Sequence, residues 1–168
     1  GDLIRRVHEA GGRIYLAHGN GGVGAYGLYD LETWTASKLT DDPLCEWMPQ
    51  TNGRHLLYER NIVEEDGSAR EILLWDRQEG TEVQIAEPGA MAGNHAISDR
   101  HVVWSGYPEL AGSQGKDVYY RDLVTGEDFH IPNSVDYFCY DVSVWGEYIT
   151  YICSEYWVQL PYHLFLHH

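Results

Sequence analysis

The sequence predicts an all-β chain of about four repeated units, each of four short strands, and three observations predict it. Tyr29-Asp30-Leu31-Glu32-Thr33, Trp75-Asp76-Arg77-Gln78-Glu79-Gly80 and Arg121-Asp122-Leu123-Val124-Thr125-Gly126 each close an apolar run with Asp and a turn. Their aspartates are 46 residues apart, from 30 to 76 to 122. A second phrase keeps step with the first: Asn52-Gly53-Arg54-His55-Leu56-Leu57-Tyr58, Ser98-Asp99-Arg100-His101-Val102-Val103-Trp104, and Val144-Trp145-Gly146-Glu147-Tyr148-Ile149-Thr150-Tyr151. No window carries a capped apolar stripe at helical spacing, so little helix is expected. A fixed period in this range marks a repeat architecture, and four short strands per period mark a β-propeller, whole or partial.

Alternation of apolar and polar residues between turn signals places the strands in order. Leu3–His8 and Arg13–His18 flank Glu9-Ala10-Gly11-Gly12, and Ala25–Leu31 and Ser37–Thr40 complete the first unit. The second has Cys45–Gln50, Arg54–Arg60, a loop over Asn61–Ala69, then Glu71–Arg77 and Glu82–Ala86. The third has Asn94–Ser98, His101–Ser105, a loop over Gly106–Gly115, Asp117–Leu123 and Asp128–Ile131. Val135–Asp141, Glu147–Cys153 and Trp157–Phe165 make an incomplete fourth, whose outermost strand the pattern does not show. The expectation is one domain over 1–168, with blades at about 1–40, 41–87, 88–131 and 132–168.

At 168 residues with 43% hydrophobic content the chain can build a core, so wholesale disorder is excluded. Lys and Arg number 11 against 26 Asp and Glu, a formal charge of −15, which repels phosphate backbones and anionic headgroups. Nucleic acid is therefore not an expected partner, and without a long apolar run neither is membrane insertion. The chain opens at Gly1 without a basic and apolar leader, so the expectation is that any signal peptide has already gone or never existed. Cys139 and Cys153 lie seven residues either side of Gly146. A three-residue turn at Trp145-Gly146-Glu147 would set them face to face, either as a disulfide or as buried thiols, with Cys45 left over.

These units resemble the TolB-type propeller repeat. The matching residues are Leu28-Tyr29-Asp30-Leu31 with Lys38-Leu39-Thr40, and Trp47-Met48-Pro49 with Asn52-Gly53. The third unit matches through Ala96-Ile97-Ser98-Asp99, Val102-Val103-Trp104 and Val118-Tyr119-Tyr120-Arg121-Asp122-Leu123 with Thr125-Gly126. The pattern departs from the family at Gln50-Thr51, which replaces a Ser-Pro pair, and in its eroded fourth unit. The resemblance implies a secreted, cell-surface or periplasmic protein of six to eight blades. Four units are then a small ring, part of a larger one, or half of a ring made by two copies. Since each blade's apolar face is covered only by its neighbours, an open series is expected to associate with a second copy or a partner segment.

Gly19-Asn20-Gly21-Gly22-Val23-Gly24 matches a dinucleotide fingerprint, but strand rather than helix follows, so no cofactor is expected. No nucleophile elbow, HExxH or EF-hand pattern occurs; Glu64-Glu65-Asp66-Gly67-Ser68 reads as a solvated turn, and no metal is expected. His55 and His101 are repeat-equivalent, which assigns them to hairpin closure, and the repeated aspartates are expected to accept bonds from their own turns. On the strand order that the TolB-type resemblance implies, loops joining second to third strands and fourth to next first strands share one face, acidic with interspersed Tyr. Tyr107, Tyr156, Trp157 and His95 are its candidate binding residues, for a protein or carbohydrate ligand. A non-catalytic binding or scaffolding module outside the cytoplasm is the resulting expectation. A fragment of a propeller enzyme such as a polysaccharide lyase, and a structural repeat of a surface layer, are the alternatives.

Overall fold

The computed structural model describes residues 4–10, 13–19, 26–30, 33–38, 46–64, 67–86, 94–106, 116–131, 137–155 and 163–167. They form fifteen strands and, among the described residues, no helix. The first sheet holds β1 (Ile4–Ala10), β2 (Arg13–Gly19), β3 (Tyr26–Asp30) and β4 (Thr35–Lys38), antiparallel in chain order. The second repeats the arrangement with β5 (Glu46–Thr51), β6 (His55–Glu64), β7 (Gly67–Asp76) and β8 (Thr81–Ala86). The third holds β9 (His95–Ile97), β10 (His101–Gly106), β11 (Asp117–Asp122) and β12 (Asp128–Ile131). A fourth has β13 (Tyr137–Trp145), β14 (Tyr148–Glu155) and β15 (His163–His167). The chain divides into two compact units, Gly1–Gly89 with the first two sheets and Ala90–His168 with the last two.

In the second and third sheets, wetness increases from the second strand outward. Every residue of β10, His101-Val102-Val103-Trp104-Ser105-Gly106, is buried, whereas β8 and β12 expose all but their last one or two residues. A strand covered on both faces needs apolar residues at consecutive positions, and Val102-Val103-Trp104 supplies them. β8 and β12 bury little, so their sequences carry little periodic signal.

In the first unit β5 lies beside β1 and β2, and Leu56, Tyr58 and Leu73 form a cluster with Trp75 against it. In the second unit β13 lies against β9, β10 and β11. Its core joins Val103, Val118 and Ile131 of the third sheet to Cys139, Val142, Ile149, Tyr151 and Cys153 of the fourth. Burial at roughly 1.5–3 kcal/mol per large side chain makes this the main force holding those two sheets together. Polar links add direction: the Cys139 amide donates to the Lys116 carbonyl at 3.1 Å, and the Lys116 ammonium sits 5.4 Å from the Phe138 ring centre.

Two expectations need correction. The loop expected over Asn61–Ala69 is mostly ladder: Asn61 pairs with Arg70, Ile62 with Ala69, Val63 with Ser68 and Glu64 with Gly67. The acidic run reads as a loop in the sequence, yet the β6–β7 ladder continues to the Glu64–Gly67 pair. The second concerns the cysteine hairpin, whose loop has two residues, Gly146 and Glu147, since Trp145 pairs with Tyr148. Gly146 takes φ 57°, the left-handed backbone that such a loop requires. That register alone would place Cys139 opposite Ser154. A bulge at Asp141-Val142, two residues facing Tyr151, shifts the ladder by one and sets Cys139 against Cys153, where they form a disulfide. Asp141 carries the extra residue at φ 51°, a conformation Asp tolerates better than most. Two repeats earlier Met48, also at φ 51°, makes the same bulge in β5, where Met48-Pro49 faces Tyr58.

Candidate functional site

Ionisable residues gather at both ends of the sheets. At the turn end the same clasp is built twice. Asp76 Oδ1 accepts the amides of Gln78 and Glu79 at 2.8 and 3.2 Å, and its carbonyl accepts that of Gly80. Asp122 Oδ1 likewise accepts the amides of Val124 and Thr125 at 2.7 and 3.2 Å, and its carbonyl that of Gly126. Gly80 and Gly126 finish these turns at φ 66° and 76°, where any side chain would be strained.

The second carboxylate oxygen of each clasp takes an arginine from the preceding hairpin. Arg54 donates Nε and Nη2 to Asp76 Oδ2 at 3.0 and 2.6 Å, and Arg100 Nε donates to Asp122 Oδ2 at 3.0 Å. The Arg54 guanidinium holds the Asp76 carboxyl down at about 2, aided by the turn amides and opposed by burial. Asp122 is also lowered, first by the Val124 amide and then by Thr125 and Arg100, against the opposing effect of burial. His55 Nε2 lies 3.4 Å from Asp76 Oδ2 and His101 Nε2 lies 3.9 Å from Asp122 Oδ2. Burial lowers His55 despite the nearby Asp76, keeping it neutral at ordinary pH. Sequence reasoning assigned the aspartates to their turns but gave Arg54 and Arg100 no role. The signal was present, because the Arg-His pair keeps the same 46-residue step as the aspartates.

At the opposite end, where the loop-bearing strand ends meet, the third sheet carries a row of rings. His95, Trp104, Tyr119 and His130 are cross-strand neighbours on one face. Trp104 stacks on Tyr119 at 5.8 Å between centroids, and Tyr119 on His130 at 4.7 Å. His130 Nε2 meets Asp117 Oδ2 at 2.7 Å, with the His130 side chain 43% exposed and that of Asp117 10%. Burial, and then the Asp117 charge, raise the Tyr151 phenol. This end holds the only His–carboxylate contact in which the His is open to solvent among the described residues.

Of the sequence-predicted binding residues, His95 lies at the start of β9, 3% exposed and opposite Trp104. Tyr107, Tyr156 and Trp157 lie outside the described residues. Among the described residues no group of three His, Cys, Asp or Glu has the geometry to hold a metal ion.

No family model and no curated protein matches the chain. Among solved structures it is similar to the tricorn protease, with TM-score 0.66 and 19% identity over 89% of this chain and 15% of that one. It is similar to the β-propeller domain of the Trilobed protease from Pyrococcus furiosus, with TM-score 0.70 and 14% identity over 98% of this chain and 52% of that one. TolB from Acinetobacter baumannii matches with TM-score 0.59 and 13% identity, over 92% of this chain and 38% of that one. Likeness at such identities establishes the fold. The four sheets are blades of the β-propeller kind, and the chain spans about half or less of each of these three proteins.

Proposed function

We propose that this chain is a non-catalytic propeller module of the TolB-type repeat, binding protein or carbohydrate outside the cytoplasm. The observation that carries the reading is the duplicated clasp. The Arg-His-Asp sets that resemble catalytic constellations occur in two successive sheets with matching roles, each tying a turn to its hairpin. Chemistry repeated from one blade to the next belongs to the scaffold, whereas a catalytic site occurs once. The disulfide between Cys139 and Cys153 supports an oxidising compartment. The charge of −15 supports a basic or neutral ligand. Binding is assigned to the loop face, with Tyr107, Tyr156, Trp157 and His95 as its candidate residues.

A second reading, a segment of a propeller enzyme, is favoured by one finding: two of the similar structures are named as proteases and are much longer than this chain. Titrating a basic peptide and neutral oligosaccharides against the protein, with product analysis of each mixture, separates the two. Saturable binding without product supports the module. Cleavage of peptide or sugar would establish the enzyme reading instead.

A further inference from the structure

The second and third sheets pair their strands in the same register, so each position of one has a counterpart 46 residues away in the other. On one face of the second sheet an arginine of β6 answers two carboxylates. The Arg60 guanidinium lies 5.7 Å from the Tyr58 ring centre, 2.9 Å from Glu82 Oε2 and 3.6 Å from Glu71 Oε1. Gln84 turns back on its own strand and donates to the Ala86 carbonyl at 3.1 Å. Here a ring flanked by two carboxylates takes a guanidinium, and the chain supplies it.

The third sheet keeps the ring and both carboxylates and changes the rest. Trp104 stands for Tyr58, Asp117 for Glu71 and Asp128 for Glu82, but Gly106 stands where Arg60 does. Gly106 faces Asp117 across the ladder with no side chain to offer it. Asp117 instead meets His130, which replaces Gln84. Because a carboxylate only accepts, the His130 proton lies on Nε2, and Nδ1 is the acceptor of the neutral ring. That ring is 43% exposed, and Asp128, whose side chain is 48% exposed, stands two residues away on the same face of β12. The Arg-Asp clasps recur in both sheets, whereas this open His–carboxylate pair has no counterpart in the second. What differs between otherwise equivalent blades is where a repeat protein carries its individual function.

The chemistry selects the ligand. A chain of charge −15 repels an anion, and a neutral sugar gains nothing from the charges of Asp117 and Asp128. A guanidinium gains from both, carries flat N–H donors for an imidazole acceptor and a carboxylate, and stacks on rings such as the Trp104–Tyr119–His130 row. We infer that the His130–Asp117 pair is a binding site for an arginine side chain of a basic peptide, which brings from outside the group that Arg60 supplies within the second sheet. The inference rests on the binding-module reading above and names its ligand. One guanidinium N–H donates to His130 Nδ1 and another to Asp128, while Asp117 holds the imidazole in the tautomer that accepts.

Calorimetric titration with the capped peptide Gly-Arg-Gly-Arg-Gly tests it on wild type, His130→Gln and Asp117→Asn. The same peptide with citrulline for arginine removes the charge and keeps the shape, and maltohexaose serves as the neutral sugar. Val124→Ser is the control, since Val124 is 79% exposed on the β11–β12 turn at the opposite end of the sheet. Wild type and control should bind the arginine peptide equally, both site variants should bind it roughly tenfold more weakly, and the citrulline peptide should lose as much. Nitrogen NMR of wild type should show the His130 Nδ1 signal shifting on addition of the arginine peptide, a change that a purely structural pair would not give. His130→Gln, at an exposed position and with the residue type of Gln84, decides the matter should circular dichroism show Asp117→Asn unfolded. Absence of peptide binding to wild type, or equal binding by wild type and His130→Gln, overturns the inference. Maltohexaose binding without peptide binding overturns the arginine site and leaves the binding module standing, while cleavage of the bound peptide overturns the non-catalytic reading alone.

Discussion

The clasps of the second and third sheets use the same residues, and the contacts described for the third also reach the blade that follows it within its unit. In both, an aspartate fixes its own turn and an arginine pins that turn to the neighbouring hairpin. In the second sheet the described contacts stay local: His55 meets Asp76 and the Asn52 side chain, and Arg54 meets Asp76. In the third sheet they reach the next blade, through Arg100 to Glu147 and through His101 to the Gly146 carbonyl. One motif therefore serves two levels of structure, closing a turn within a sheet and aligning the sheet that follows.

Breaking the fourth sheet from inside should have the largest effect. The Cys139–Cys153 bridge closes a 14-residue separation, so replacing both cysteines by Ala should cost about 3 kcal/mol. For a chain of this size that corresponds to a drop of roughly 10 °C in melting temperature. Limited proteolysis should then cut first within residues 137–155. Initial cutting within β6 or β7 would mean that the fourth sheet does not depend on its bridge.

The arginines sharpen the comparison directly. Arg100→Met removes contacts to two carboxylates in two sheets, whereas Arg54→Met removes one. Both should lower the melting temperature, Arg100→Met by more, and the excess should vanish in a Glu147→Gln background. Equal effects in both backgrounds would show that the link to Glu147 contributes nothing.

Acid gives a smaller and graded effect. Asp76 titrates at about 2 when folded against 3.8 when unfolded, so its contribution is complete above the unfolded value and is lost as pH falls through the folded one. Asp122 is lowered in the same direction. Neutral His55, lowered from 6.5, adds an earlier loss, because below that value the unfolded chain binds the proton more readily. Melting temperature should decline gently below pH 6.5 and more steeply between pH 4 and pH 2, and Asp76→Asn should flatten the steeper part. A profile that Asp76→Asn leaves unchanged would remove Asp76 from the clasp's energetics.

The sequence announced the repeat because turn chemistry is strict: Asp76 and Asp122 need a carboxylate beside two amides, and Gly80 and Gly126 need a left-handed backbone. Middle strands were legible because β10 is buried on both faces. The bulges were not legible, since Met48 is a poor residue for φ 51° and tertiary packing imposes it there. Nor was the pairing of Asn61–Glu64 with Gly67–Arg70, because an acidic run with Gly lacks the apolar alternation that marks a strand. The candidate site was the least legible part. His95 lies buried opposite Trp104, and the His130–Asp117 pair was not singled out, because nothing periodic marks residues that meet only across strands.

The central claim is that within each compact unit the inner strand of the later blade docks on the earlier blade, as β13 does on β9, β10 and β11. Residue-resolved amide exchange on the native protein tests it at the Cys139 amide, which bonds the Lys116 carbonyl across two sheets. That amide should exchange as slowly as those of Val102 and Val103 inside β10. If it exchanges at the rate of the Glu147 turn amide while the rest of the β13–β14 ladder stays protected, the two sheets are not docked and the claim fails.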